Sequence, residues 1–436
     1  MTDKTETTGE RFYIKTFGCQ MNMYDSQVIQ SILEERGLKA AEEPSEADII
    51  LVNGCSIRKH AEDRAINWIH QFSRMEDKRI AVIGCLAQNL KHELLDMIEG
   101  IDIICGPDNY MSLVDEICRG NSGVTMPGRD HTVTYSLSEG YNPGRYSGFV
   151  SITRGCENFC SYCVVPYLRG KLRSKDPDTL VEEVNRLALG GCREITLLGQ
   201  NILAYQYKNK GFTELLRMLL ERTALERIRF LTSHPRDVNL DLFRLMSDHP
   251  RICPHIHLPL QSGSDRILKL MRRGYTSGQY LSLLEEARKI MPGLAVTTDI
   301  IVGFPSEREE DFKSTMETVR KSGYDSAFTF KYSPRKGTAA WRFPDNVSAE
   351  TKKERLARLN ALVREMRKDI LEGLLGKSFK ILLDGTAERG ENQYFKGRTP
   401  HFRNVLLGRK EGKEGDILNV TLERLENFTF IGKYRR

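Results

Sequence analysis

The chain has 436 residues, 40% of them hydrophobic, with ten cysteines and a formal net charge of +6. That length and apolar content imply two or three domains. The polar start "MTDKTETTGERFYIK" lacks the apolar stretch of a secretion signal, and the longest apolar run, around "ADIILVNG", is only strand-sized. This argues against a secreted or membrane protein and for a cytoplasmic one, whose clustered thiols serve metal or catalysis rather than disulfides.

In chain order, short apolar runs ("FYIKTFG", "ADIILVNG", "RIAVIG", "IDIICG") alternate with helical patterns such as "MYDSQVIQSILEERG". Buried strands alternating with helices predict a parallel α/β sheet over residues 11–128. A polar stretch bearing Gly and Pro, 129–141, reads as a linker. From 142 to 374 the alternation resumes six times, through "FVSITRG", "EITLLGQ", "RIRFLTSH", "HIHLPLQ", "AVTTDIIVGF" and "SAFTFKYSP". Six successive βα units with right-handed crossovers predict a partial (β/α)6 barrel, closed by a charged helix near Ser348–Leu375. Short alternating strands with Gly-rich turns over 375–436 predict a small all-β, OB-like barrel. The last segment, Gly376 to Arg436, holds thirteen Lys/Arg against eight Asp/Glu, most of the chain's excess charge. Such a tail fits a polyanionic partner, or simply a solvated basic face.

Functional groups of parallel sheets gather at the C-terminal ends of strands. Three early strands end in Gly-Cys, at Cys19, Cys55 and Cys85, each just ahead of a helical stretch whose N–H groups favour a thiolate. Cys192 and Cys253 precede their strands and Cys118 lies on an apolar helix face, so these three read as structural. Cys105 ends a strand but belongs to an apolar run and reads as core. After the first barrel strand, Cys156, Cys160 and Cys163 stand in C-x3-C-x2-C spacing. Structural zinc takes four ligands in separated pairs, and a disulfide would strand one thiol. Three cysteines on an iron–sulfur cubane leave one iron open to a small molecule.

This motif resembles that of the radical S-adenosylmethionine (SAM) superfamily, in which the open iron binds SAM and the reduced cluster cleaves it to a 5′-deoxyadenosyl radical. From about Arg11 to the end, the chain is similar to the methylthiotransferases. "TFGCQMNMYDSQ", "NGCSIRKHAEDRA", "RGCENFCSYCVVPYLRGKLRS", "HLPLQSGSDRILKLMRRGYT" and "TDIIVGFPSE" carry the resemblance. It implies three parts: a domain with an auxiliary [4Fe-4S] cluster on Cys19, Cys55 and Cys85, a barrel with a second on Cys156, Cys160 and Cys163, and a C-terminal TRAM domain. "LLGQN" and "FLTSHP" favour the branch that methylthiolates C2 of N6-isopentenyladenosine beside the tRNA anticodon. Sister branches act on N6-threonylcarbamoyladenosine or on an aspartate of a ribosomal protein. An RNA-binding protein with structural zinc is the alternative from another class.

The resemblance implies two SAM molecules per turnover, one as methyl donor and one as radical source, with no side chain acting as acid or base. Tyr162 matches the aromatic position near the SAM adenine. The strand ends at Gly199, Gln200, Asn201, Ser233 and Gln261, with Asp299 in the fifth strand, are expected to line the SAM pocket, and each also admits a structural reading. Expected partners are an isopentenylated tRNA, an electron donor such as flavodoxin or ferredoxin, and a sulfur donor, with the enzyme a monomer. Lys396, Arg398 and Arg403 lie among Tyr394, Phe395 and Phe402, mixing phosphate contacts with stacking surfaces; those aromatics equally suit a small barrel's core.

Overall fold

A computed structural model describes residues 9–126, 128, 133–137, 146–390, 392–409 and 412–434. The N-terminal sheet is wholly parallel, in the order Lys39–Ala40, Arg11–Thr16, Ile49–Gly54, Arg79–Ile83, Ile103–Cys105, Val124–Met126. Strand alternation sends Ile49 and Leu51 to one face, against Tyr24, Val28 and Leu113, while Ile50 and Val52 meet Ala65, Ile69 and Phe72 on the other. Both faces are covered, which is why Ile49–Gly54 is buried along its whole length.

The barrel strands are Ser147–Ser151, Glu194–Leu198 and Arg227–Phe230 in one parallel set, then His255–His257, Ala295–Val302 and Ser326–Lys331 in a second. A parallel bridge between Ile228 and Ile252 joins the sets, giving the expected open barrel of six strands in chain order. The first strand is shorter than "FVSITRG". It stops at Ser151, and Thr153–Arg154 instead pairs antiparallel with Arg173–Ser174, closing the base of the intervening cysteine loop.

Helix Ala349–Glu372 follows the last barrel strand and packs on it. The tail closes into a five-stranded barrel, Ser378–Arg389, Asn392–Arg398, Asn404–Gly408, Thr429–Tyr434, Ile417–Glu426, around Ile381, Leu383, Phe395, Val405 and Phe430. Of the expected linker 129–141, only 133–137 lies within the described residues. There Tyr135 and Leu137 are buried in the large core shared by the first two segments, and Tyr135 O accepts from Tyr24 Oη at 2.9 Å. No helix among the described residues is long and apolar enough to cross a membrane.

The two flanking domains occupy opposite ends of the barrel. The N-terminal domain sits over the C-terminal strand ends, where Asp25 and Asp108 meet Arg154, Arg169 and Arg173. On the same side, Arg335 donates to Ile57 O at 3.0 Å. The small β-barrel docks under the N-terminal strand ends, through Arg227 and Arg229.

Candidate functional site

Strands Arg11–Thr16, Ile49–Gly54 and Arg79–Ile83 are neighbours in one parallel sheet, so Cys19, Cys55 and Cys85 emerge side by side. Each exits through a glycine with no room for a side chain. A Cβ on Gly18 (φ +123°) would lie 2.5 Å from Cys55 Cβ, and one on Gly84 (φ +82°) would lie 2.3 Å from Asn53 Oδ1. Buried Asn53 ties these turns together by donating to Asn22 O and Ser26 Oγ, both at 2.9 Å. Burial, together with the Cys85 and Cys19 sulfurs, pushes the Cys55 thiol up to about 11. Burial also raises the Cys85 thiol, opposed by Arg169. Desolvation therefore outweighs the nearby helix starts, and these thiols give up protons when they take metal.

The second triad occupies the loop between Thr153–Arg154 and Arg173–Ser174. Its root is fixed at Gly155 (φ +79°), where a Cβ would lie 2.0 Å from Lys171 O. Gln200 Oε1 accepts from Gly155 N at 2.5 Å, so this side chain braces the cysteine loop. Arg273 donates through Nη1 to Cys160 Sγ at 3.3 Å and lies 3.5 Å from Tyr162 Oη. Burial and the Cys160 sulfur push the Cys163 thiol up to about 12, countered by the backbone N–H of Val165.

Sulfurs at both triads meet donors, Ile57 N to Cys55 at 3.4 Å and Arg169 Nε to Cys85 at 3.2 Å among them. That donor set fits an iron–sulfur cluster, whose sulfur ligands are tuned by such hydrogen bonds. Among the described residues no group of three or more His, Cys, Asp or Glu is gathered around a single ion. A cubane does not ask for that, because each cysteine binds a different iron.

The triads are physically joined. Cys85 packs on Val164 and Leu168, which directly follow Cys163, and Arg169 ends that same short helix, Val165–Arg169. Buried Asp25 receives Arg154 at 2.7 Å and Arg169 at 2.8 Å, while Asp108 receives Arg173 at 2.9 Å. Asp25, Arg154, Arg169 and Arg173 stand within the quoted motifs, and Asp108 shortly after the strand that ends at Cys105. Their signal is charge on otherwise buried stretches, as with Asp25, six residues beyond Cys19 on a mostly buried helix.

Several residues expected to meet SAM present buried polar atoms with no protein partner: Asn201 Oδ1, Ser233 Oγ and Asp299 Oδ1. His234 Nε2, just past the end of the third barrel strand, and Thr153 Oγ1, which is missing from the expected pocket lining, share that property. His234 Nδ1 accepts from Arg236 N at 3.2 Å, which puts the ring proton on Nε2. Burial, then Arg273 and Arg236, hold this imidazole neutral, down to about 2. Gly199 is needed because a Cβ would strike Thr153 Oγ1 at 2.0 Å. Gln261 adopts φ +68° and bridges to Ile300 through its backbone. Tyr162 is half-buried beside Ile267, Met271 and Phe304.

The residues expected to bind RNA separate. Lys396 is exposed. Arg398 pairs with Asp384 at 3.0 Å, and Arg403 donates through Nε to Asp325 at 3.0 Å in the contact with the large barrel. Phe395 is in the small barrel's core, and Phe402 stacks on His255 with centroids 5.0 Å apart.

The partial barrel, with its three-cysteine loop after the first strand, is that of a radical SAM enzyme. Residues 150–319 match the Radical SAM superfamily model, and residues 11–106 match a family described as Uncharacterized protein family UPF0004. The chain is 39% identical to the tRNA-2-methylthio-N(6)-dimethylallyladenosine synthase of Bacteroides fragilis, over 98% of this chain and 96% of the relative. It is 40% identical to the enzyme of that name from Syntrophus aciditrophicus, over 95% and 92%. Among solved structures, the radical SAM methyltransferase TsrM from Kitasatospora setae shares the fold at TM-score 0.57 and 14% identity, covering 74% of this chain and 73% of that one. The chain belongs to the tRNA-2-methylthio-N(6)-dimethylallyladenosine synthase family of radical SAM methylthiotransferases.

Proposed function

We infer that this protein methylthiolates C2 of N6-dimethylallyladenosine (N6-isopentenyladenosine) beside the anticodon of tRNA, using SAM and two [4Fe-4S] clusters. The observation that supports the reading is the contact of Cys85 with Val164, Leu168 and Arg169, which sets one thiol of the first triad against the short helix after Cys163, in the space where the two domains meet. The adenine C2–H is unactivated and offers no acid–base handle; the clusters and SAM, when bound, supply the radical and sulfur chemistry it requires.

The chain's own residues hold and orient. Cys156, Cys160 and Cys163 would hold one cluster with an iron left open for SAM, and Cys19, Cys55 and Cys85 would hold the other. Asn201 Oδ1 and Asp299 Oδ1 offer acceptors for the SAM ammonium and hydroxyls, while Ser233 Oγ, Thr153 Oγ1 and neutral His234 Nε2–H offer donors for its carboxylate. Tyr162 supplies an apolar wall for the adenine. The N-terminal domain, laid across the strand ends, keeps water from the reacting centre. A base in the anticodon loop must leave its stack to reach that space. Lys396 provides a phosphate contact at a distance from the clusters, with Arg398 beside it. A flavodoxin- or ferredoxin-type electron donor, a separate sulfur donor, a monomeric state and a cytoplasmic location complete the proposal.

The test is turnover by anaerobically reconstituted enzyme on an isopentenylated anticodon stem-loop RNA, followed by nucleoside mass spectrometry. The expected product is 2-methylthio-N6-isopentenyladenosine. Modification of threonylcarbamoylated RNA instead would transfer the enzyme to the sister branch.

A further inference from the structure

We propose that Arg169 both holds and electrically poises the auxiliary cluster, so that the segment carrying the barrel cysteines also sets the reduction potential of the Cys19, Cys55 and Cys85 site. The proposal rests on reading that triad as an iron–sulfur site.

Arg169 follows Cys163 by one short helix, yet its guanidinium crosses into the N-terminal domain. Only 2% of the residue is exposed. Nε donates to Cys85 Sγ at 3.2 Å and Nη2 to Asp25 Oδ2 at 2.8 Å, while Nη1 is buried without a protein partner. The guanidinium lies in a cluster of buried charges. Arg154 shares Asp25 with Arg169, Arg173 takes Asp108, and Lys175 takes Glu183. Arg154 also lies 4.0 Å from Asp108, whereas among the described residues Asp25 is the one carboxylate paired with Arg169, and it is shared. A buried guanidinium that must share its carboxylate is unfavourable, and the Cys85 sulfur, an anion once it holds iron, is the atom its Nε already reaches. A cubane held by thiolates supplies that anion and can also occupy the spare Nη1–H.

A cation donating to a cluster sulfur favours the reduced, more negative state and raises the potential. Of these cations, Arg169 is the one that donates to the Cys85 sulfur, so it is the one placed to do this. Arg273, at 3.3 Å from Cys160 Sγ, occupies the equivalent position at the other triad and serves as an internal control.

The experiment is a redox titration of the reconstituted full-length holoenzyme, followed by electron paramagnetic resonance. The auxiliary signal is isolated in a background carrying Cys156→Ala, Cys160→Ala and Cys163→Ala, and the barrel signal in a separate background carrying Cys19→Ala, Cys55→Ala and Cys85→Ala. Arg169→Met is expected to move the auxiliary midpoint to more negative potential and leave the barrel cluster's midpoint in place. Arg169→Lys, which keeps the charge, recovers part of the shift, and Arg273→Met moves the barrel midpoint instead. Loss of the auxiliary cluster alone in Arg169→Met, restored in Arg169→Lys, also supports the proposal. Unchanged midpoints with both clusters present would overturn it, as would loss of both clusters in Met and Lys variants alike. A wild-type protein that binds one cluster only would overturn the reading of the triad, and the proposal with it.

Discussion

At the N-terminal ends of the barrel strands, Arg229 makes a two-pronged contact with Glu194, at 3.1 and 3.0 Å, and donates to Pro400 O at 2.8 Å. Arg227 reaches Lys380 O at 2.6 Å, and Arg403 is spent on Asp325. At the opposite ends, Thr153, Asn201, Ser233, His234 and Asp299 each bury a polar atom with nothing to satisfy it. Both ends place polar groups out of water, but one spends its arginines on locking a domain in place, and the other leaves several groups free for something absent from the chain. The small-barrel contact also leaves His255 Nδ1, His401 Nδ1 and Asp384 Oδ1 unpartnered, but beside arginines that are paired; at the opposite ends the unmet polarity lies beside the cysteine loop, and there it marks where a ligand belongs. Charge that is already paired marks stability instead.

The largest effects should come from the end with unmet polarity. Cys160→Ala and Cys85→Ala should each abolish methylthiolation and remove about half of the bound iron, measured by iron analysis and product formation. Full iron retention in either variant would show that the residue is no ligand. At the paired end, Glu194→Ala leaves Arg227 and Arg229 buried without their carboxylate. It should destabilise the protein by about 3–5 kcal/mol in denaturant unfolding, with turnover per folded molecule unchanged.

This division explains what could be read from the sequence. The C-x3-C-x2-C triad is local, and the Gly-Cys strand endings repeat, so both were legible before any contact was known. Local patterns predict what neighbouring residues do together. They say nothing of Arg169 meeting Cys85, which depends on how two domains dock. The same blindness made Arg403 look like an RNA contact. A basic residue beside Phe402 suggests phosphate and stacking, but its partner Asp325 lies far upstream in the chain. Gln200 likewise matches a SAM-contact position, while its side chain is engaged with Gly155 N. The stretch 133–137 was read as linker from its polar neighbours, although Tyr135 and Leu137 supply core.

Ser233→Ala sharpens the comparison directly, because it removes an unpartnered hydroxyl rather than a bonded one. Stability should change by less than about 0.5 kcal/mol. The KM for SAM should rise about tenfold, the equivalent of one lost polar contact of roughly 1.4 kcal/mol. A marked loss of stability with unchanged KM would make Ser233 structural.

The paired end should also respond to acid. Burial, then Arg403 and Arg229, push His401 down to about 4, against about 6.5 for a free imidazole. His255, facing Phe402 in the same contact, is lowered as well, by burial and then Arg229. Between these values the unfolded chain binds a proton at His401 that the folded chain refuses. Stability should therefore fall as pH drops from about 6.5 toward about 4, and His401→Gln should flatten that dependence in thermal unfolding. An identical pH profile in the variant would assign the effect to other groups.

The smallest expected effect separates two basic residues that look alike in sequence. Lys396 is exposed, so Lys396→Ala should weaken tRNA binding modestly and lower the slope of log affinity against log salt by about one, without loss of stability. Arg403→Ala should do the reverse. Its guanidinium already has Asp325, so the salt slope should hold while domain docking weakens. If Arg403→Ala alone altered the slope, the end of the barrel assigned to stability would have to be read as part of the RNA surface.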